Sequence, residues 1–330
     1  MVNLLLQLSP SSPQIGLGLA ALGRPGYINL GHGGDLDHRY DHAAMEQHAH
    51  AVLDAAWAGG VRYFDAARSY GRAEEFLGSW LHTRAIPPQN VAIGSKWGYT
   101  YTANWQVTAE KHEVKEHSLP VLQRQWQESQ RYLGAYLRLY QIHSATLESG
   151  VLTDPAVLTE LAAIKQQGIA IGLSLSGPQQ AATLEQALLV EVDGVRLFDA
   201  VQATWNLLER SAGVMLRQAA AAGLTIIIKE ALANGRLTVR NAAPEFAPQL
   251  ALLQQEATRL SATIDALALA AALAQPWVTL VLSGAATEEQ LASNLTASRV
   301  PWDEEAATAL SPLVETPETY WRTRSRLAWN

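Results

Sequence analysis

Cysteine is absent from this 330-residue chain. Without it there are no disulfides and no thiolate zinc sites. A surplus of basic residues is missing too: 24 Lys and Arg face 31 Asp and Glu, a net charge of -7. That balance argues against nucleic acid as the main partner, which calls for clustered cations. No apolar run is long enough to cross a bilayer. The richest, Ala266 to Ala274, is broken by Gln275-Pro276. The opening "MVNLLLQLSPSSPQ" lacks a basic n-region, and its apolar run is too short for a signal peptide. The expectation is a soluble, cytoplasmic protein with no membrane partner. No internal sequence repeat is evident, and no composition break divides the chain, so residues 1–330 are expected to form a single domain.

What the chain does have is alternation. Short apolar runs recur as "QIGLGLAAL", "VRYFDAA", "NVAIGSK", "LRLYQIH", "IAIGLSLS", "DAVQATWN", "LTIIIKEAL" and "TLVLSGA". Such runs suit strands buried on both faces of a parallel sheet. Helical segments stand between them. The clearest is "DPAVLTELAAIKQQG", with Asp154 at the cap, Pro155 at the first helical position and Gly168 beyond the end. Asp41 and Gly59 bracket another in the same way. Eight strand-plus-helix units predict an α/β fold of the (β/α)8 TIM barrel type rather than an open sheet. Two long irregular stretches, "GRPGYINLGHGGDLDHRYDH" and "ANGRLTVRNAAPEFAPQ", follow the first and seventh strands. Loops of that length in a compact domain usually cover a site. The aromatic, basic tail "PETYWRTRSRLAWN" is expected to fold back across the barrel mouth.

In a barrel of this kind reactive groups stand where strands end. Asp65, Lys96 and His143 all fall at such ends, and Tyr70 lies in the loop just past Asp65. A phenol has a reference pKa of about 10. An ammonium 4 Å away favours the phenolate by roughly 4 kcal/mol at an effective dielectric of 20. That is an upper bound of roughly three pKa units, enough to make Tyr70 a general acid or base near neutrality. Lys96 is placed to supply the charge, Asp65 to hold Lys96, and His143 to orient a substrate oxygen. Such a group suits protonation of a carbonyl oxygen while a hydride, which only a cofactor carries, reaches the carbon. These residue types suggest no metal.

Taken singly, each residue has a duller reading, as a loop cap, a core aromatic, a surface lysine or a barrel histidine. Gly16, Gly18 and Ala21 fit a G-x-G-x-x-A pattern. Gly23, Pro25 and Gly26 follow where a dinucleotide-binding helix would have to run, so the pattern is set aside. Gly18 still permits a close backbone approach to a cofactor. His32, His38, His42, His48 and His50 crowd one region. They are read as loop and solvated-helix positions, not as a metal site.

The segments "FDAARSYG", "IGSKWG" and "SQRYLGAYLRLYQIH" resemble successive signatures of the aldo-keto reductase superfamily. "VQATWNLLER" and "SGAATEEQLASN" resemble its later cofactor segments, so the likeness runs from about Gln14 to Asn294. The resemblance implies a (β/α)8 barrel, a nicotinamide cofactor and reversible reduction of aldehyde, ketone or sugar-like carbonyls. By it Tyr70 is the general acid, Lys96 tunes it, Asp65 supports Lys96 and His143 orients the substrate. Ser174 and Gln202 take the positions that hold the carboxamide, although Leu175 stands where an asparagine is common. Lys229 falls where many members stack a tyrosine, and Leu232, Ala233 and Gly235 match a loop over the pyrophosphate. Gly284, Gln290 and Asn294 match adenosine-side positions. The Lys and Arg that often clamp a 2′-phosphate are absent there, and Glu288 and Glu289 lie close by. NADP(H) is the cofactor by family habit, with NAD(H) left open. Tyr27, Trp97, Tyr99, Tyr101, Trp105, Trp205, Trp321 and Trp329 are candidate pocket walls. Trp97 and Trp205 adjoin the matched motifs and are taken as the substrate pocket.

Three other functions stay open at this point. They are an NAD-dependent sugar or alcohol dehydrogenase, a nucleotide-sensing regulatory subunit with little turnover, and a barrel hydrolase using Asp65 and Glu148. Nothing in the sequence demands more than a monomer.

Overall fold

A computed structural model describes residues 14–330. The N-terminal stretch read above for a targeting signal lies almost wholly outside them. In chain order the elements begin with β1 (Gln14–Gly18), α1 (His32–Asp35), α2 (His42–Ala58), β2 (Tyr63–Asp65), α3 (Ala73–Thr83) and β3 (Ala92–Trp97). A hairpin of β4 (Tyr99–Tyr101) and β5 (Glu113–Lys115) precedes α4 (Leu119–Leu133), β6 (Leu137–Ala145), α5 (Pro155–Gln166) and β7 (Ala170–Leu175). Next come α6 (Gln180–Leu188), a small hairpin of β8 (Glu191–Val192) and β9 (Val195–Arg196), β10 (Ala200–Thr204), α7 (Gly213–Ala221) and β11 (Thr225–Lys229). The last elements are α8 (Ala247–Arg259), α9 (Ile264–Leu273), β12 (Leu280–Ser283), α10 (Glu288–Leu295), α11 (Glu304–Ala309) and α12 (Pro317–Ser325).

Eight strands close into a barrel in the order β1, β12, β11, β10, β7, β6, β3, β2, every neighbour parallel. Each coincides with one of the apolar runs read from the sequence. Their side chains are buried on both faces: every residue of β3, β10 and β12 is inside. The helix caps also sit where the sequence put them. Asp154 accepts from the backbone N–H of Ala156 and Val157, and Asp41 accepts from that of Ala44.

Helix α9 carries the most apolar segment, and its burial explains why. Ala266, Leu269, Ala270 and Ala272 face the main core, whereas Ile264, Leu267, Ala268 and Ala271 face a second cluster containing Leu253, Leu313 and Tyr320. A helix covered on both sides is hydrophobic all round. Among the described residues no helix is long and apolar enough to cross a membrane.

The C-terminal segment does lie across the mouth. Thr316 caps α12 by accepting from Thr319 N, and Arg324 on that helix reaches Glu230, just past β11. The final residue exchanges backbone hydrogen bonds with Tyr27 in both directions at 3.2 Å.

One histidine differs from its sequence reading. His32 is 0% exposed, because its loop tucks beneath Tyr27 and Asn330, whose side chain meets Gly33 N at 3.4 Å. His38 and His42 are exposed as expected. Among the described residues, no group of three or more His, Cys, Asp or Glu is arranged to hold a metal ion.

Candidate active site

The C-terminal ends of the strands surround a cavity of about 550 Å³, within the usual range of small-molecule sites. Asp65, Tyr70, His143, Gln202 and Lys229 line it, and so do Gly18, Gly284 and Asn294.

Asp65 closes β2 and points into the barrel, where it is 2% exposed. Its Oδ1 accepts from Gln202 Nε2 at 2.9 Å, Tyr63 Oη at 3.2 Å and Gln141 Nε2 at 3.3 Å. Its Oδ2 is ion-paired with Lys96 on neighbouring β3. The sequence allows this through Gly94: any Cβ there would strike the hydroxyl of Tyr63 on its way to Asp65. Lys96 Nζ also donates to Ala66 O at 2.9 Å and to Tyr70 Oη at 3.3 Å. The carboxylate and the phenol therefore meet on one ammonium, as the sequence reading required.

The spacing between Asp65 and Tyr70 follows from the turn that joins them. Tyr70 N bonds Ala67 O at 3.0 Å and Ala73 N bonds Tyr70 O at 3.1 Å, so the loop doubles back and returns the phenol to the strand ends. Gly71 completes it with φ +59°, and a Cβ there would run into Gly23 O and Arg24. Arg72 N takes the same Gly23 carbonyl at 2.7 Å.

One electrostatic expectation is corrected. Burial raises the Tyr70 phenol above its ordinary range, the Asp65 carboxylate raises it further, and Arg24 pulls it back. Burial is the main cause, and Asp65, which also pairs with the ammonium that was to have favoured the phenolate, adds to it. Tyr70 is therefore held as a protonated donor. His143 is held neutral, its pKa driven well below 6.5 by burial and then by Lys96, Lys229 and Arg24. Its Nδ1 faces Ser69 Oγ at 3.4 Å and its ring meets that of Tyr70 edge-on at 5.5 Å.

The positions taken for cofactor binding divide. Gly18, Gln202, Lys229, Leu232, Gly235, Gly284, Gln290 and Asn294 line the cavity. Ser174 and Ala233 do not: Ser174 Oγ accepts from Ser144 N at 2.8 Å and Ala233 is packed in the second cluster. Lys229 Nζ donates to Thr204 Oγ1 at 2.9 Å and lies 3.5 Å from Glu230. Burial lowers its pKa to about 8, Glu230 opposing.

Trp97 and Trp205 are not pocket walls. Both belong to the main core cluster, and neither lines the cavity. Trp97 turns from β3 into the main core against His117, and Trp205 packs on Trp277. The walls come instead from Tyr27, from Tyr99 and Glu113 on the β4–β5 hairpin, and from Leu327 and Trp329 of the tail. Sequence reasoning also missed Arg24 and Glu230. Arg24 pairs with Glu113 at 2.9 Å, and Glu230 takes the Arg324 guanidinium at 2.5 and 2.9 Å. Tyr27, Tyr99 and Trp329 stood among the candidate aromatics, but nothing local ranked them above the others.

The model for the aldo/keto reductase family matches residues 14–315. The chain belongs to the aldo/keto reductase family. It is thereby an oxidoreductase of a family that uses nicotinamide cofactors on small carbonyl substrates. D-threo-aldose 1-dehydrogenase from Pseudomonas sp is 24% identical over 248 residues, covering 70% of this chain and 71% of the relative. The uncharacterized oxidoreductase YqkF of Bacillus subtilis (strain 168) is 26% identical over 273 residues, or 75% of this chain and 81% of its own length. Pyridoxal 4-dehydrogenase from Microbacterium luteolum is 30% identical over 106 residues, covering 26% of this chain and 30% of that protein. In fold the aldo/keto reductase resembles the holo form of aldo-keto reductase AKR11C1 from Bacillus halodurans, with a TM-score of 0.69, 21% identity and 92% of each chain covered.

The residues present suit a nicotinamide dinucleotide. The cavity runs from Tyr70 past Gly18 and Gln202 to α10, and a Cβ on Gly284 would meet nothing within 4 Å.

Proposed function

We propose that this aldo/keto reductase interconverts carbonyl compounds and alcohols, with Tyr70 as the general acid and base. The supporting observation is the contact of buried Lys96 Nζ with Tyr70 Oη at 3.3 Å, behind a phenol that lines the cavity beside a neutral His143. When bound, the nicotinamide supplies the hydride that reaches the carbonyl carbon. Tyr70 Oη gives its proton to the carbonyl oxygen, and the resulting phenolate is stabilised by the adjacent ammonium. Oxidation of an alcohol runs the same proton back to Tyr70. His143 uses the nitrogen not turned toward Ser69 to hold the substrate oxygen. The substrates are aldehydes, ketones and sugar-like carbonyls, in line with the aldose and pyridoxal dehydrogenase names of two relatives.

Two cofactor readings differ in charge. The first is NADP(H), as family habit gives. The second, NAD(H), is favoured by the α10 end of the cavity, where Glu289 and Asp265 contribute to the lining. Arg240, also in the lining, is tied to Asp35 at 2.5 and 2.8 Å while Gln290 donates to the same carboxylate at 2.8 Å. A 2′-phosphate would have to break that pairing. The function is tested by following NADH and NADPH oxidation at 340 nm with a panel of aldehydes, ketones and aldoses. Turnover that depends on both carbonyl and cofactor is expected. Cofactor binding without turnover across the panel would favour the sensing role instead.

A further inference from the structure

Arg24 stands in a loop of glycine and proline, where an arginine is ordinarily solvated, yet it is 2% exposed. Its Nη1 donates to Ser69 O at 3.0 Å and to Glu113 Oε2 at 2.9 Å. Its Nε has no hydrogen-bond partner among the described residues. Three rings surround the guanidinium instead, with centroids at 4.8 Å for Trp329, 5.1 Å for Tyr27 and 5.2 Å for Tyr70. Aromatic faces attract a desolvated guanidinium, and they offset part of the cost of burying it.

These contacts come from four separate parts of the chain. Tyr27 belongs to the loop after β1, Ser69 and Tyr70 to the loop after β2, Glu113 to the β4–β5 hairpin and Trp329 to the tail. Ser69 is the residue just before Tyr70, and while its carbonyl is held by Arg24 its hydroxyl faces His143 Nδ1 at 3.4 Å. Behind it, Gly23 is packed so closely on Tyr70 and Ala73 that a Cβ would strike both. The phenol is therefore gripped from two sides. Lys96 stands 4.7 Å from the ring centroid on the barrel side, and Arg24 holds it on the side of the loops.

We propose that Arg24 is a positioning residue for the proton transfer, and that it makes the placement of Tyr70 depend on the docked hairpin and C-terminal tail. The inference rests on the reading of Tyr70 as the general acid and extends it to a group that does not touch the reacting atoms. It also gives the tail a role in turnover: Trp329 covers the cation that steadies the phenol.

The test compares wild type with Arg24→Met, Arg24→Lys, Glu113→Gln and Trp329→Ala, each with saturating cofactor and the best carbonyl of the panel. Kinetics, cofactor titration and solvent deuterium isotope effects are measured on the full chain. Arg24→Met is expected to lower kcat by about 10- to 100-fold, the scale of a misplaced catalytic group. Cofactor Kd should stay within about twofold, and the solvent isotope effect on kcat should rise as proton transfer becomes slower. Arg24→Lys keeps the charge but loses the planar fork, so it should recover only part of the loss. Glu113→Gln and Trp329→Ala should reproduce a smaller kcat decrease with the same rise in isotope effect. These two decide the matter should Arg24→Met fail to fold. Unchanged kcat and isotope effect in Glu113→Gln and Trp329→Ala, or in a folded Arg24→Met, overturn the inference and leave the role of Tyr70 intact. A wild-type protein that turns over no carbonyl with either cofactor removes both.

Discussion

Lys96 and Tyr70 meet at 3.3 Å, and the ammonium that reaches the phenol is the same one that pairs with Asp65. Burial keeps the phenol protonated at rest, with the Asp65 carboxylate adding to it, and in the proposed reaction the shared ammonium steadies the phenolate that forms. Asp65 cancels the lysine charge in the ground state, whereas a phenolate forming at Tyr70 draws on that ammonium directly. Lys96→Met is expected to lower kcat by about 10²- to 10⁴-fold, the usual worth of assisted proton transfer. Steady-state rates with cofactor saturating measure it. The pair is also wholly buried, so Asp65→Ala should destabilise the fold by about 3–5 kcal/mol in urea unfolding, because a lone ammonium is left inside.

Three histidines make the fold sensitive to acid, His143 with His32 and His117. Burial lowers His32 and His117 from 6.5 to about 4. The unfolded chain accepts those protons below 6.5 and the folded chain refuses them until about 4. Their contribution is full above the upper value and is lost as pH falls toward the lower one. The melting temperature should therefore decline across this window, and His117→Gln should flatten part of the slope. A curve that is flat or rises on acidification contradicts this.

Arg324 fastens the tail to Glu230, whose pKa is drawn down to about 2 by Arg324 and Lys229 against the cost of burial. Arg324→Met releases α12 from the strand end and leaves Glu230 with Lys229 as its cation, beside the hydroxyls of Thr204 and Tyr320. The substrate KM should rise by about tenfold, the size of a modest loss of positioning. Thermal stability should fall as well, because the buried Glu230 carboxylate loses its strongest partner. Steady-state kinetics and a melting curve on the same sample separate the two effects.

The cofactor readings separate on one surface. Gln290 and Glu289 begin α10 at the cavity edge, and Arg240 is already engaged with Asp35. Gln290→Arg adds a second cation there and should tighten NADPH by about tenfold relative to NADH, one charge-assisted contact's worth. Fluorescence titration of both reduced cofactors measures the ratio. In the wild type, NADH binding more tightly supports the second reading, and NADPH binding more tightly supports the first.

The barrel was legible because its signals are local. Each strand is a short apolar run, and Asp41, Asp154 and Pro155 mark helix starts by chemistry that acts within three residues. The core of the site was legible for the same reason, since Asp65, Tyr70, Lys96 and His143 each stand at or just beyond a strand end. The walls were not. The β4–β5 hairpin has strands of three residues, half-buried in β4 and mostly exposed in β5, too short to show an apolar period. Arg24 gives no sign of burial until Glu113, 89 positions on, is brought beside it. Trp97 and Trp205 misled because adjacency to a motif in sequence says nothing of direction. On a strand the next residue faces the other way: Lys96 reaches Tyr70 on the barrel side, and Trp97 turns into the helix layer.

Replacing Tyr70 with phenylalanine removes one oxygen atom and asks whether that oxygen carries the proton. Carbonyl-dependent oxidation of reduced cofactor by Tyr70→Phe should fall by at least about 10²-fold, with the cofactor Kd unchanged in a parallel fluorescence titration. Turnover within a few-fold of wild type, at equal cofactor occupancy, would contradict the role given to Tyr70 and leave only the barrel and its cavity standing.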